Sequence, residues 1–177
     1  MRESVFTLEL KKSLERIGYW TYKIADMPTS RLTDRLSFTP EKPCDLIVAA
    51  PKAKGYYIET KQIRKWEAFG YRSLRPSQKR NGELLSLLGH KYLIALNVRV
   101  PGETSKLLFM DYQALKFVET IPAVDLKKIP MIPGRGGIFK LKNKCLDETY
   151  YFDEYVKSRA AGILKKDLKL QRNLTWK

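Results

Sequence analysis

The chain predicts an α/β domain with a mixed sheet flanked by helices, and three observations carry that expectation. An amphipathic segment opens the sequence, apolar and β-branched runs follow in pairs separated by turn residues, and a second helical segment stands between two of those pairs. The 177 residues and 44% hydrophobic content suit one domain, spanning 1–177, with a buried core. A basic helical extension is expected from about residue 153.

Residues 3–18 place Phe6, Leu10, Leu14 and Ile17 on one helical stripe, and Gly18 supplies a stop. Glu3 falls on that stripe, whereas Glu9 and Glu15 lie off it. An acid at that end serves either as a third carboxylate of a site or as favourable charge in a first helical turn. Tyr19–Ala25 reads as a strand, and residues 26–43, with Pro28, Pro40 and Pro43, as a long loop. Loops of that length are functional or mobile, and this one carries Arg31 and Arg35 as candidate phosphate contacts.

Leu46–Ala50 is a short apolar run, Tyr56–Lys61 is rich in aromatic and β-branched residues, and Pro51–Gly55 reads as the turn of a hairpin between them. With the turn centred near Ala53, antiparallel pairing sets Asp45 roughly across from Lys61 and Ile47 across from Glu59. Leu74–Gln78 opens a helix, capped by Ser77 or by the preceding turn, that runs to about Leu88 and stops at Gly89. Leu84, Leu85, Leu87 and Leu88 give it an apolar side. Tyr92–Val100 and Lys106–Met110 read as strands joined at Pro101-Gly102, and residues 121–137 as loop. The cluster Gly134-Arg135-Gly136-Gly137 lacks the Gly-Lys-Ser/Thr of a phosphate-binding loop, so no nucleotide cofactor is expected. Gly137–Leu141 is strand-like, and a helix is expected from about Asp153 to Leu170. Tyr150, Tyr151, Phe152 and Tyr155 pack into the core, stack on bases or form a dimer face.

The net charge of +15 selects among partners. Residues 61–80 hold Lys61, Arg64, Lys65, Arg72, Arg75, Lys79 and Arg80 against Glu67 alone, and a second cluster, from Lys157 to Lys177, closes the chain. Positive charge beside an acidic site suits a polyanion held while one phosphate is attacked, and the lack of a sustained apolar face in the basic stretches argues against a membrane surface. No apolar run is long enough to span a bilayer and the N-terminus does not read as a signal peptide, so a cytoplasmic protein is expected. Cys44 and Cys145 read as reduced packing residues, and the single histidine, His90, excludes a histidine-based metal centre.

Asp45, Glu59 and Lys61 form the candidate site. Glu59 and Lys61 are two apart on a strand and share one face. Two neighbouring carboxylates repel unless a proton or a hard cation lies between them, and Mg²⁺ (or Mn²⁺) takes one or two carboxylates plus water and phosphate oxygens. A lysine beside them holds or deprotonates an attacking water, which makes a phosphodiester-hydrolysis site. The plain alternative is a surface hairpin with an ordinary Glu-x-Lys.

Pro43-x-Asp45, Glu59-x-Lys61 and the helix opening at Ser77-Gln78, in that order, resemble the PD-(D/E)xK nuclease superfamily over roughly residues 3–100. Within it the chain looks like the Holliday junction resolvases of the archaeal Hjc and bacterial RecU types. The resemblance implies a restriction-endonuclease-like fold and Mg²⁺-dependent endodeoxyribonuclease activity on branched DNA by a homodimer, leaving 5′-phosphate and 3′-hydroxyl ends. It implies Asp45, Glu59 and Glu3 as metal-binding residues, with Glu9 in reserve for Glu3. Lys61 would position or activate water, Gln78 would contact the site or a phosphate, and Arg31, Arg35, Arg64, Lys65, Arg72, Arg75, Lys79 and Arg80 would contact DNA. Cys44, between the proline and the aspartate, is a departure that the superfamily tolerates.

Overall fold

In the computed structural model, residues 3–25, 42–50, 54–142, 145–146 and 152–162 are described. Helix α1 (Glu3–Glu15) is followed by strands β1 (Trp20–Lys23), β2 (Leu46–Ala50), β3 (Lys54–Ile63) and β4 (Phe69–Gly70). Helix α2 (Pro76–Leu87), strands β5 (Lys91–Val98) and β6 (Ser105–Asp111) and helix α3 (Tyr112–Val118) come next. The remaining elements are β7 (Thr120–Ile121), α4 (Ala123–Leu126), β8 (Ile132–Arg135), β9 (Ile138–Phe139) and a helical run over 152–162.

Seven strands form one mixed sheet in the order β1-β2-β3-β5-β6-β8-β9, in which β3 and β5 run parallel and each other neighbouring pair is antiparallel. A parallel neighbour requires a crossover, and α2 lies within it. One face buries Phe6, Leu10 and Leu14 of α1 against Leu46, Val48, Tyr56, Ile58, Leu93 and Phe109. The other packs Tyr92, Ile94, Leu96 and Met110 against Leu85, Tyr112, Leu115 and Phe152. This is the expected arrangement of a mixed sheet with helices on both faces. Among the described residues no helix is long and apolar enough to cross a membrane.

The hairpin register differs from the sequence expectation by two residues. Leu46 pairs with Ile58 and Ala50 with Lys54, so the ladder is centred on residue 52 and not on Ala53. Ile47 therefore faces Tyr57, and Asp45, whose N–H donates to the Ile58 carbonyl at 3.0 Å, stands against Glu59 instead of Lys61. A shift of two preserves the face each side chain occupies, since strand side chains alternate with period two.

Helix α2 starts where expected, with extended Arg75 before it and Pro76 in its first turn. Ser77 lies inside the helix and is not the cap; Gln78 Oε1 accepts the Arg75 N–H at 2.9 Å in its place. The apolar side is also displaced. Gln78, Gly82 and Leu85 form the buried line, while Leu84, Leu87 and Leu88 are exposed. Gly82 sets this orientation, because a Cβ there would meet the Tyr112 ring at 2.5 Å.

One expectation of loop is corrected, and one unassigned stretch gains a helix. Residues 121–137 contain the end of β7, then α4, β8 and a two-residue turn at Gly136 and Gly137, whose φ values of 58° and 77° favour glycine. Residues 112–118, to which no element had been assigned, form α3, capped by Asp111 Oδ1 accepting from the Gln113 and Ala114 amides at 2.9 and 3.2 Å.

Candidate active site

The pairing of β2 with β3 brings Asp45 and Glu59 together at the end of the hairpin away from its turn, and both are buried. Lys42 Nζ donates to Asp45 Oδ1 at 2.7 Å. Oδ2 accepts two bonds from Thr60, from its amide at 2.9 Å and from its hydroxyl at 2.6 Å. Thr60 Oγ1 lies 2.8 Å from Thr7 Oγ1 on α1. Since the Thr60 proton goes to Asp45, Thr7 donates to Thr60, and a three-residue relay ties the first helix to the carboxylate. Asn81 of α2 donates to the Lys42 carbonyl at 3.1 Å, which anchors the segment leading into Asp45.

Glu59 is held from three elements. Lys61 Nζ donates to Oε1 at 3.2 Å, Gln78 Nε2 donates to the same oxygen, and the Tyr92 hydroxyl donates to Oε2 at 3.4 Å. Gln78 can serve the site because its own Oε1 is fixed by the Arg75 amide, which turns the NH₂ group toward Glu59. One residue thus both caps α2 and orients the carboxylate.

The two acids titrate apart. Burial raises Asp45, but the Lys42 ammonium and the Thr60 bonds outweigh it and leave the carboxyl below its ordinary value. Burial, reinforced by the charge of Asp45, pushes Glu59 up to about 7 against the pull of Lys61. Burial likewise pushes the Cys44 thiol up to about 12 and raises the Tyr92 hydroxyl, so neither is an anion at neutral pH. Cys44 donates to the Leu46 carbonyl at 3.1 Å, and both cysteines are buried thiols outside any disulfide.

This donor set fits a hard divalent cation. It consists of carboxylate oxygens, and Glu59 carries the electrostatic cost of a neighbouring anion that a cation would relieve. Among the described residues no three His, Cys, Asp or Glu side chains gather into a metal-holding group. A cation here would rest on two protein carboxylates and complete its shell with water and phosphate oxygens.

The remaining expected residues fall as follows. Glu3 begins α1, but its side chain, like Arg31 and Arg35, lies outside the described residues. Glu9 pairs with Arg99, at 3.1 Å from Oε2 to Nη1, and is not joined to Asp45 or Glu59. Arg64 and Lys65 follow β3, Arg72 occupies the turn after β4, and Arg75, Lys79 and Arg80 lie at the start of α2. Arg75 and Lys79 stand within a turn of Gln78. Lys79 Nζ sits 4.6 Å above the Tyr71 ring, while Lys65 pairs with Glu67 and Arg72 with Glu119 at exposed positions where such pairs bind weakly. Lys157 and Arg159 of the C-terminal cluster are exposed on the helical run over 152–162, and its later members lie outside the described residues. Phe152 is buried and Tyr155 half-buried with its hydroxyl on Asp125, so both serve packing. His90 is exposed beside the Tyr57 ring.

Lys42, Thr60, Thr7 and Tyr92 were not foreseen as site residues. Thr60 alternates with Glu59 on β3, which alone does not reveal that the Asp45 side chain reaches across to the Thr60 amide. Lys42 precedes Asp45 by three residues, a spacing without meaning in a loop of unknown path.

No protein-family model and no curated protein matches the chain. Among solved structures it is similar to Hjc, a Holliday junction resolvase from the archaeal hyperthermophile Archaeoglobus fulgidus, with a TM-score of 0.42 and 17% identity, covering 63% of this chain and 78% of that one.

Proposed function

We propose that the protein is a metal-dependent endodeoxyribonuclease that hydrolyses phosphodiesters of branched DNA, with four-way junctions as the substrate and a homodimer as the working form. The observation that supports it best is the pairing of Asp45 with Glu59, two buried carboxylates of divergent acidity with Lys61 against one and Lys42 against the other. Structural ion pairs rarely place two acids together in a buried site, because each raises the cost of ionising the other.

Asp45 and Glu59, with Glu3 as the expected third acid, would hold Mg²⁺ or Mn²⁺, which supplies positive charge to the phosphate and makes water a stronger nucleophile. Lys61 holds the attacking water in line with the scissile bond and offsets charge on the phosphate oxygens. Gln78 keeps Glu59 in place. Tyr92 and Thr60 deny the carboxylates other orientations. Arg64, Lys65, Arg72, Arg75, Lys79 and Arg80 hold flanking phosphates, so binding weakens steeply with salt and depends little on sequence. A four-way junction needs two symmetric cuts, which a two-fold dimer provides.

The test compares a labelled synthetic four-way junction with linear duplex of the same sequence, with Mg²⁺ and with EDTA. Wild type nicks the junction only with the metal, and Asp45→Asn retains binding while losing cleavage. Absence of cleavage by wild type in Mg²⁺ and Mn²⁺ would leave a DNA-binding protein of this fold; equal cutting of duplex would leave a nuclease of another substrate class.

A further inference from the structure

Among the described residues, the face of the sheet that carries Glu59 continues beyond the carboxylates into a partly exposed aromatic surface. Trp20 pairs with Ala49 and Tyr22 with Ile47, and Ile47 pairs in turn with Tyr57. Residues directly opposite one another in antiparallel strands project to the same side, so Trp20, Tyr22, Ile47 and Tyr57 share a face with Asp45 and Glu59. Thr21, between the two rings, points the other way. It is buried, and its hydroxyl meets Glu15 and Lys11 of α1.

Helix α1 covers that opposite face, while α2 and α3 pack over β5 and β6. Among the described residues no helix lies on the β1–β2 part of the site face, and Trp20 and Tyr22 remain 61% and 55% exposed. Their rings are nearly parallel, at an interplanar angle of 9° and a centroid separation of 6.3 Å. Large aromatic side chains left in water at adjacent same-face positions mark a contact surface more often than a solvated one.

We infer that Trp20 and Tyr22 form a stacking platform for unpaired nucleotides of the DNA whose phosphodiester lies at Asp45 and Glu59. This rests on the nuclease reading and deepens it: the bases beside the scissile bond at the branch point are held unpaired when the junction is bound. The Tyr22–Ile47 row is two strand residues from the carboxylate row, about 7 Å, and the Trp20 row about 14 Å. Successive nucleotides leading away from the cut would therefore meet the rings in turn. The net charge of +15 makes a polyanion the favoured occupant. Parallel rings accept the π-face of any base, and a base inside duplex keeps that face covered by its neighbours, so only unpaired bases can use the platform.

The experiment measures binding, in EDTA, of a fluorescent oligothymidylate and of a blunt duplex to wild type, to Trp20→Ala/Tyr22→Ala, and to Trp20→Phe/Tyr22→Phe. Circular dichroism confirms that each variant folds. The alanine pair is expected to lose roughly tenfold in oligothymidylate affinity per ring removed, with duplex affinity unchanged and the phenylalanine pair close to wild type. Equal loss on both ligands, no loss on either, or a drop in sedimentation coefficient that marks the face as a contact between copies overturns the platform. Cleavage is scored separately. If wild type never cuts yet the alanine pair selectively loses oligothymidylate binding, the nuclease reading fails while the platform stands. If wild type cuts and the alanine pair binds oligothymidylate normally, the platform alone fails.

Discussion

Glu59 offers a test in which stability reports on the chemistry of the site. Its carboxyl is raised from 4.5 to about 7, with burial the main cause and Asp45 the second. A raised acid holds its proton more tightly in the folded state, so the associated stability is fully present below pH 4.5 and is lost as the pH rises through 7. The interval corresponds to about 3 kcal/mol, which for a chain of this size is roughly 6–12 °C in Tm. Glu59→Gln removes the ionisation and keeps an amide oxygen for Lys61 and Gln78. In EDTA at pH 8 the variant is therefore expected to melt several degrees above wild type, with the difference closing at pH 4. Adding Mg²⁺ at pH 8 should raise wild type and leave the variant behind, since a ligand of the folded state stabilises only what binds it. Thermal unfolding followed by circular dichroism at both pH values reads all of this. A variant equally destabilised at pH 4 and pH 8 would refute the account of Glu59 as an acid strained by its surroundings.

Asp45→Asn removes the second cause of the Glu59 shift, so Glu59 should titrate below 7 yet above 4.5; carbon-detected NMR of the side-chain carboxyl measures it, and an unmoved midpoint would show that the two acids are not coupled. Thr60→Val deletes the hydroxyl bond to the buried Asp45 carboxylate and the Thr7–Thr60 contact, a loss of about 1–3 kcal/mol in urea unfolding; a cost near zero would mean that the relay is not formed. Gly82→Ala drives a methyl group into the Tyr112 ring and should cost about 1–3 kcal/mol by the same measurement, despite the better helix propensity of alanine; a stabilised variant would contradict the close approach of α2 to α3.

The hairpin and its two acids were legible because a short apolar run, an aromatic and β-branched run and the turn residues between them mark paired strands independently of context. Their register was not, since nothing in the residues 51–55 fixes whether the ladder closes on 52 or 53. Helix α2 announced its start through Pro76 and its end through Gly89, but its buried line ran through Gln78 and Gly82 where hydrophobicity pointed to Leu84, Leu87 and Leu88. A polar residue and a glycine bury there because one serves the site and the other admits a ring, and both reasons lie in tertiary structure. Helix α3 carries a local signal, Asp111 at its cap, but the preceding strand runs into it without a turn, so no break in the pattern marks its start. The relay through Thr7 and Thr60 depends on where α1 docks, which no local pattern encodes.

Asp45, Glu59, Lys61 and Gln78 come from one stretch of chain between positions 45 and 78, which opens with the β2–β3 hairpin and ends in the first turn of α2. Loop closure over so short a span costs little entropy, so the apparatus can assemble early and without waiting for distant strands. It follows that a cut of the chain at its far turns, Pro101-Gly102 or Gly136-Gly137, leaves these four residues on a single continuous segment.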